Sequence, residues 1–308
     1  MDAFEVRELR YFVTVAEELS FSRAAERLGM AQPPLSRAIR QMERRLGAEL
    51  FRRDTRQVAL TELGESLVDQ ARDAIEIMSA LGERARRAAR TTPTLVATAK
   101  PGIATEMLRR IVAAYAEVPD RPLVEILVSG YREQSAMVRD GRADVAVLGS
   151  PYDRWRLDLE VLTTQPRVAA LPAGHRLALA ERLHCSDLHG EPMPRWERST
   201  RAERAYSIGR AGPSISADEA EGVPGPVVSD PTQLLEVVSL GQAVALIPQW
   251  LADRNPRDDL VYRPVSDASP YTTAIAWPEG TRSRMIADFV RTATEIYKPA
   301  SARSIETA

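Results

Sequence analysis

The stretch "AQPPLSRAIRQMERRLGAELFRR", residues 31–53, carries the densest chemistry in the chain. As a helix it turns Leu35, Ile39, Met42 and Leu46 to one face, and Ser36, Arg37, Arg40 and Arg44 to another. Side chains near the start of such a helix can reach base edges, and Gln32, Ser36, Arg37 and Arg40 stand there. Arg37 is the strongest base-reading candidate, because a guanidinium pairs bidentately with guanine. Pro33 and Pro34 open the helix where N–H groups have no intrahelical partner, so proline loses nothing and presets φ. Without an N–H or a long side chain, they also let the first turn approach a duplex closely.

Charge supports a polyanion contact. Residues 21–60 hold nine arginines against four acids, a local +5 in a chain whose net charge is −2. A solvated helix face is the competing account of such a run. Lys100 and Lys298 are the only lysines, so arginine here reflects coding bias as much as chemistry. The position of each arginine therefore matters more than the number.

Other chemistry is thin. His184, Cys185 and His189 lie close together, but they lack a fourth ligand and the usual zinc spacing. No G-x-S-x-G, P-loop or G-x-G-x-x-G occurs, so neither an enzyme nor a bound cofactor is expected. One cysteine in 308 residues fits a reducing compartment and no disulfide framework. No signal peptide is evident, and the most apolar window, 237–252, is short and contains Pro248. A soluble, cytoplasmic protein without a membrane partner is the expectation.

The elements that must position these residues come next. Leu9, Phe12, Val13, Ala16 and Leu19 have helical spacing over 6–19. Ser22 is expected to cap a second, short helix that Gly29 stops. The third helix begins near Pro33 and ends at Gly47. Leu50–Arg52 and Val58–Leu60 read as two short strands around a polar turn bearing Arg53 and Arg56. Three helices and a two-stranded wing are the geometry of a winged helix-turn-helix, whose third helix enters the major groove. Arg53 and Arg56 on the wing could meet phosphates or the minor groove. A protein-binding winged helix, or a plain three-helix core, remains the alternative.

Thr61 caps a long helix over 61–90. Leu67, Ala71, Ala74, Met78, Leu81, Ala85 and Ala88 alternate at spacings of four and three, as a dimerising coiled-coil seam does. A core helix would give a similar pattern. "TTP" (91–93) marks a domain boundary. From residue 94 strands and helices alternate, implying a parallel or mixed sheet with helices on both faces. Strands are expected at 94–99, 123–129, 143–149, 167–172, 243–248 and 272–277. Helices are expected at 102–117, 132–141, 231–241 and near the C-terminus. Residues 191–226 are left unassigned.

The run from Leu9 to Leu67, "LRYFVTVAEELSFSRAAERLGMAQPPLSRAIRQMERRLGAELFRRDTRQVALTELGESL", resembles the DNA-binding half of LysR-type transcriptional regulators. "GRADVAVLG", "ALPAGHRLA" and "SDPTQLLEVVSLGQAVALIP" resemble the effector half in the family order. The resemblance implies an α+β multidomain chain: a winged helix-turn-helix (1–60), a linker or dimerisation helix (61–90) and a two-lobed α/β effector domain like a periplasmic binding protein (91–308). Lobe 1 would take about 91–163 and 270–298, and lobe 2 about 169–264. It further implies a homo-oligomer, dimer or tetramer, on dyad-symmetric operator DNA, with RNA polymerase as a partner and a small-molecule effector, often a carboxylate.

In the family that effector meets the N-terminus of the helix after the first effector strand. The corresponding residues are Lys100, Pro101 and Gly102, with Gly102 where a small hydroxyl residue is common. Ser129, Gly130 and Tyr131 would line the opposite wall, with Gly149 and Pro231 as further cleft positions. The arginines of "RWERSTRAER" (195–204) either face the cleft or form a solvated surface. The resemblance implies a ligand-responsive, sequence-specific regulator. An architectural DNA-binding protein without an effector is the alternative.

Overall fold

In the computed structural model, Val6–Glu18 form α1, which buries Phe12, Val13 and Val15. The structure describes residues 4–53, 58–89, 92–130, 132–197, 199–210 and 223–297. Two units part at residues 91 and 92.

In the N-terminal unit α1 is followed by α2 (Phe21–Arg27). Its cap is Ser20, whose hydroxyl accepts from the Arg23 N–H at 3.4 Å. The expected cap, Ser22, is exposed inside the helix. Ser20 has the extended backbone that a cap requires, and starting the helix at Phe21 turns that ring into the core. Helix α3 (Gln32–Leu46) carries Pro33 and Pro34 in its first turn and ends at Gly47, which has φ +74°. Leu35, Ile39 and Met42 are fully buried, each worth about 1.5–3 kcal/mol of apolar transfer. Leu46 is half-buried. Phe51 meets Phe12 and Phe21 edge-to-face, with centroids 5.6 and 5.8 Å apart.

The wing is β1 (Phe51–Arg53) antiparallel to β2 (Val58–Leu60), with Phe51 opposite Leu60. The first strand starts one residue later than expected, at Phe51, with Leu50 just before it also fully buried. Helix α4 (Glu62–Ala88) is capped by the Thr61 hydroxyl, 3.0 Å from the Gly64 N–H. A Cβ on Gly64 would stand 2.3 Å from the Leu50 carbonyl oxygen, so only glycine lets α4 pass this close to the chain entering β1. Val68 and Ala71 of α4 complete the same core as Phe12, Leu35 and Phe51.

In the C-terminal unit, β3 (Thr94–Ala99), α5 (Ile103–Ala116), β4 (Leu123–Leu127), α6 (Gln134–Arg139), β5 (Val145–Gly149) and β6 (Leu157–Gln165) build most of lobe 1. The chain then crosses into lobe 2: β7 (Arg167–Pro172), β8 (Met193–Trp196), α7 (Arg201–Ser207), β9 (Pro224–Val228), α8 (Pro231–Ser239), β10 (Ala245–Pro248), α9 (Gln249–Asp253) and β11 (Leu260–Pro264). It returns through β12 (Tyr271–Pro278) to α10 (Arg284–Tyr297). The lobe 1 sheet has the order β4-β3-β5-β12-β6, with β4, β3 and β5 parallel and β12 antiparallel to both neighbours. Lobe 2 holds the antiparallel sheet β10-β7-β11 and the parallel pair β8-β9.

The crossings fall at Gln165–Arg167 and between Pro264 and Tyr271. Each lobe keeps its own core, around Ile111, Tyr115, Val147 and Phe289 in lobe 1 and around Ala170, Leu235, Val238 and Ile247 in lobe 2. Among the described residues, no helix is long and apolar enough to cross a membrane.

Candidate nucleic-acid interface and effector cleft

The apolar stripe of α3 fixes what its outer face can offer. Gln32, Arg37, Arg40 and Arg44 are exposed and Pro34 is half-buried. Ser36 is buried, contrary to the sequence expectation. It stands three residues before Ile39, on the flank of the stripe, and its hydroxyl accepts from the Gln32 amide at 2.9 Å. Ser36 therefore positions Gln32 rather than facing outward.

Ion pairing sorts the arginines. Arg27 is held by Glu17 and Glu18, Arg23 by Glu18, and Arg45 by Glu8. Arg37, Arg40 and Arg44 form no ion pair among the described residues; Arg40 Nε donates to the Ser36 carbonyl at 3.2 Å. The outer face of α3 thus carries three unneutralised charges, with exposed Arg52 on the wing as another. Arg53 closes β1, while Arg56 lies outside the described residues.

Along α4, Ala71 faces the core of its own unit. Leu67 and Ala74 are half-buried, whereas Met78 and Leu81 are 47 % and 54 % exposed and stand beside exposed Ile77. The open part of the expected seam is its second half.

The cleft lies between the lobes of the C-terminal unit and encloses about 100 Å³. An engineered apolar cavity of about 150 Å³ holds a benzene, so this volume suits a small organic molecule. Lys100, Pro101 and Arg132 come from lobe 1. Arg167, Glu203, Tyr206, Pro231 and Trp250 come from lobe 2, and Tyr271 opens the returning strand. Lys100, Pro101 and Pro231 therefore meet here as the sequence suggested.

The other expected residues that the structure describes do not line the cleft. A Cβ on Gly102 would lie 2.5 Å from the Trp250 ring, so an indole covers the start of α5. Ser129 shares its hydroxyl with Thr98 at 2.9 Å and accepts from Gln134 at 2.7 Å, which ties it into lobe 1. The Gly130 N–H donates to Glu133 at 3.0 Å. Gly149 lies beneath Tyr271, whose hydroxyl would be 1.8 Å from an added Cβ, and gives its carbonyl to Lys100. Tyr131 lies outside the described residues.

Three cationic side chains face one carboxylate in this space. Lys100 Nζ donates to the carbonyls of Gly149 and Ser150 at 3.0 and 3.4 Å. Burial, then the nearby Arg132 guanidinium, pushes its pKa down to about 8. Arg167 is 2 % exposed yet hydrogen-bonds only neutral acceptors: Ser269 O at 2.7 Å, Ser269 Oγ at 2.8 Å and Tyr206 O at 2.8 Å. Burial lowers its pKa from the ordinary guanidinium value. Arg132 pairs with Glu203 across the lobes and donates to the Glu197 carbonyl at 3.0 Å. Among the described residues, the arginines of 195–204 are absent from the lining; Arg198 lies outside them. Arg204 donates to Ser199 O at 2.7 Å and Arg195 to Gly225 O at 3.1 Å, while one of the two acids there, Glu203, turns inward.

His184 Nδ1 is 3.8 Å from Asp267, and burial with Asp267 pushes the Cys185 thiol up to about 11. No group of His, Cys, Asp and Glu suited to a metal occurs among the described residues.

Comparisons agree with this division. Residues 6–65 match the family of bacterial regulatory helix-turn-helix proteins of the lysR family, and residues 88–297 match the LysR substrate binding domain. The Hca operon transcriptional activator HcaR of Escherichia coli (strain K12) is 30 % identical over 93 % of this chain and 96 % of its own. The regulator ShiR of Corynebacterium glutamicum (strain R) is 31 % identical over 96 % of this chain and all of its own. Full-length BenM superposes with a TM-score of 0.52 at 25 % identity, covering 96 % of this chain and 97 % of BenM. Full-length CbnR, which has been solved with its target DNA, shares the fold with a TM-score of 0.54 at 21 % identity, covering 95 % of this chain and 99 % of CbnR. The outward arginine face of α3, the two-lobed cleft and these matches have one reading: the chain belongs to the LysR family of ligand-responsive, DNA-binding transcriptional regulators.

Proposed function

We propose that this regulator binds dyad-symmetric operator DNA as a homo-oligomer and changes its binding when a small carboxylate enters the cleft. The observation that carries the effector reading is the cleft's charge: Lys100, Arg132 and Arg167 against Glu203 alone. A buried cavity with excess positive charge stabilises an anion by direct Coulomb attraction in a low-dielectric setting. The indole and phenol rings of Trp250, Tyr206 and Tyr271 give the rest of the ligand an apolar seat.

On the DNA side, Arg37 is assigned to a base edge, with Gln32 and Arg40 beside it and the wing arginines Arg53 and Arg56 on phosphates. Two heads spaced by pairing along Leu67, Ala74, Met78 and Leu81 would read two half-sites. Effector binding favours one closure of the lobes, and closure alters how the heads, and through them RNA polymerase, engage the promoter.

The test joins footprinting with melting. Full-length protein is footprinted on its own promoter with and without each member of a panel of small carboxylates and aromatic acids. A compound that raises the melting temperature should also change the footprint. Identical footprints with every stabilising compound would leave an architectural DNA-binding protein without an effector.

A further inference from the structure

Beyond a general preference for anions, one residue can be assigned to the effector carboxylate. The N-terminus of α5 is covered, because the Trp250 ring lies against Gly102 there. The anion must be held elsewhere in the cleft. Lys100 is engaged by the Gly149 and Ser150 carbonyls, and Arg167 gives three of its donors to Ser269 and Tyr206.

Arg132 is different. It stands in the loop after β4 with φ +76°, a left-handed conformation that non-glycine residues adopt only when their surroundings enforce it. From there it reaches into lobe 2 and already holds a carboxylate, that of Glu203. Glu203 belongs to the chain, lines the same cavity and has a second task. Its Oε2 accepts from the Thr200 N–H at 2.7 Å and the Thr200 hydroxyl at 3.0 Å, closing the capping box of α7.

We propose that Arg132 is the receptor for the effector's carboxylate and that Glu203 occupies it in the effector's absence, so the effector enters by exchanging one carboxylate for another. This rests on the reading of the cleft as an anion site. Freed from Arg132, Glu203 keeps its capping bonds to Thr200, so α7 survives the exchange while the ion pair joining the lobes is lost. The effector then bridges Arg132 to the lobe 2 wall in its place. Entry of the ligand and release of the bridge become one event, which is what a two-state lobe closure needs.

Acetate, the simplest carboxylate, serves as the probe. Full-length protein is melted across an acetate titration at constant ionic strength, as wild type, Glu203→Gln and Arg132→Gln. Glutamine is accepted at the third position of a capping box, so Glu203→Gln keeps α7. Removing the internal competitor should lower the acetate concentration for half-maximal stabilisation about three-fold, the scale of a partly exposed ion pair. Arg132→Gln should raise it about ten-fold or more, the scale of a lost charged hydrogen bond. If Glu203→Gln binds acetate no better than wild type while wild type still responds, the exchange is overturned and the anion cleft stands. If Arg132→Gln binds as wild type, the receptor assignment is overturned. If acetate stabilises none of the three, the anion reading of the cleft falls and the exchange with it.

Discussion

The Arg167 guanidinium lies 3.9 Å from the centroid of the Tyr206 ring and donates to the carbonyl of that same residue at 2.8 Å. Through Ser269 it also grips the second crossing, so one side chain at the first crossing ties both inter-lobe connections to α7. Arg167→Met would leave the Ser269 carbonyl without its donor and the Tyr206 carbonyl with the Gly209 N–H alone. The cost should be about 2–4 kcal/mol in the stability of the C-terminal unit, read from urea unfolding followed by tryptophan fluorescence. Arg167→Lys should recover less than half of it, because a single ammonium cannot serve three acceptors spread around a planar fork.

Lys100 sets a pH dependence for effector binding. Its pKa is pushed down to about 8, first by burial and then by Arg132, with the Glu203 carboxylate opposing. Tyr271 faces it as well, with its ring centroid 5.6 Å from Nζ. An anionic ligand prefers the ammonium form, so binding takes up a proton wherever the free amine is neutral. The dissociation constant for acetate should therefore be flat between about pH 6 and pH 7, where acetate stays ionised, and rise above pH 8, by at most about ten-fold per pH unit. Lys100→Met should bind more weakly at pH 7 and lose the rise. A slope retained in that variant would assign the proton to another group.

How much of this was legible in the sequence divides along the chain. The head was read almost to the residue, because helix periodicity, Pro33, Pro34 and Gly47 act locally. The differences in the head are local too: Ser20 rather than Ser22 caps α2, and Ser36, though polar, is buried on the flank of the apolar stripe. The cleft is less legible. Lys100, Pro101 and Pro231 line it, but Arg132, Arg167, Glu203 and Tyr271 come from a loop, a strand, a helix and a second strand that only the two crossings bring together. Two signals were present. Arg167 opens the otherwise apolar run "RVAALP", where a charge is out of place. "TRAE" at 200–203 is a capping box, which marks a helix start in a stretch left unassigned.

Gly102 and Trp250 should be coupled. Gly102→Ser would put a hydroxyl residue at the start of α5, yet its Cβ would lie 2.5 Å from the indole and its φ is +111°. The substitution should destabilise the C-terminal unit by about 1–3 kcal/mol through overpacking and backbone strain. Trp250→Ala in the same chain should relieve the steric part, giving a coupling of at least about 0.5 kcal/mol in a double-mutant cycle. Additive effects would mean that the ring moves aside freely.

The arginines of the head should separate into two classes in DNA binding. Arg37→Ala is expected to lose about 1–3 kcal/mol of specific affinity and relax preference at one base position. Arg45→Ala should change specific affinity little, because Arg45 is held by Glu8. Its cost should appear in stability instead. Fluorescence anisotropy with the promoter fragment and with random DNA distinguishes the two, and equal loss on both DNAs for Arg37→Ala would make it a phosphate contact.

The seam of α4 should divide in the same way. Ala71 is buried in the core of its own unit, whereas Met78 and Leu81 are exposed within the chain. Ala71→Asp places an unpaired carboxylate beside Phe12 and Phe51 and should unfold the head, with loss of DNA binding at every protein concentration. Met78→Asp with Leu81→Asp touches no core residue of that unit. It should leave the helical circular dichroism signal of the chain intact and shift sedimentation toward the monomer. DNA affinity should then fall sharply but recover at high protein concentration, because two monomeric heads no longer share one binding event. An unchanged sedimentation coefficient would move the dimer contact off α4, and the exposed stripe from Ile77 to Leu81 would need another occupant.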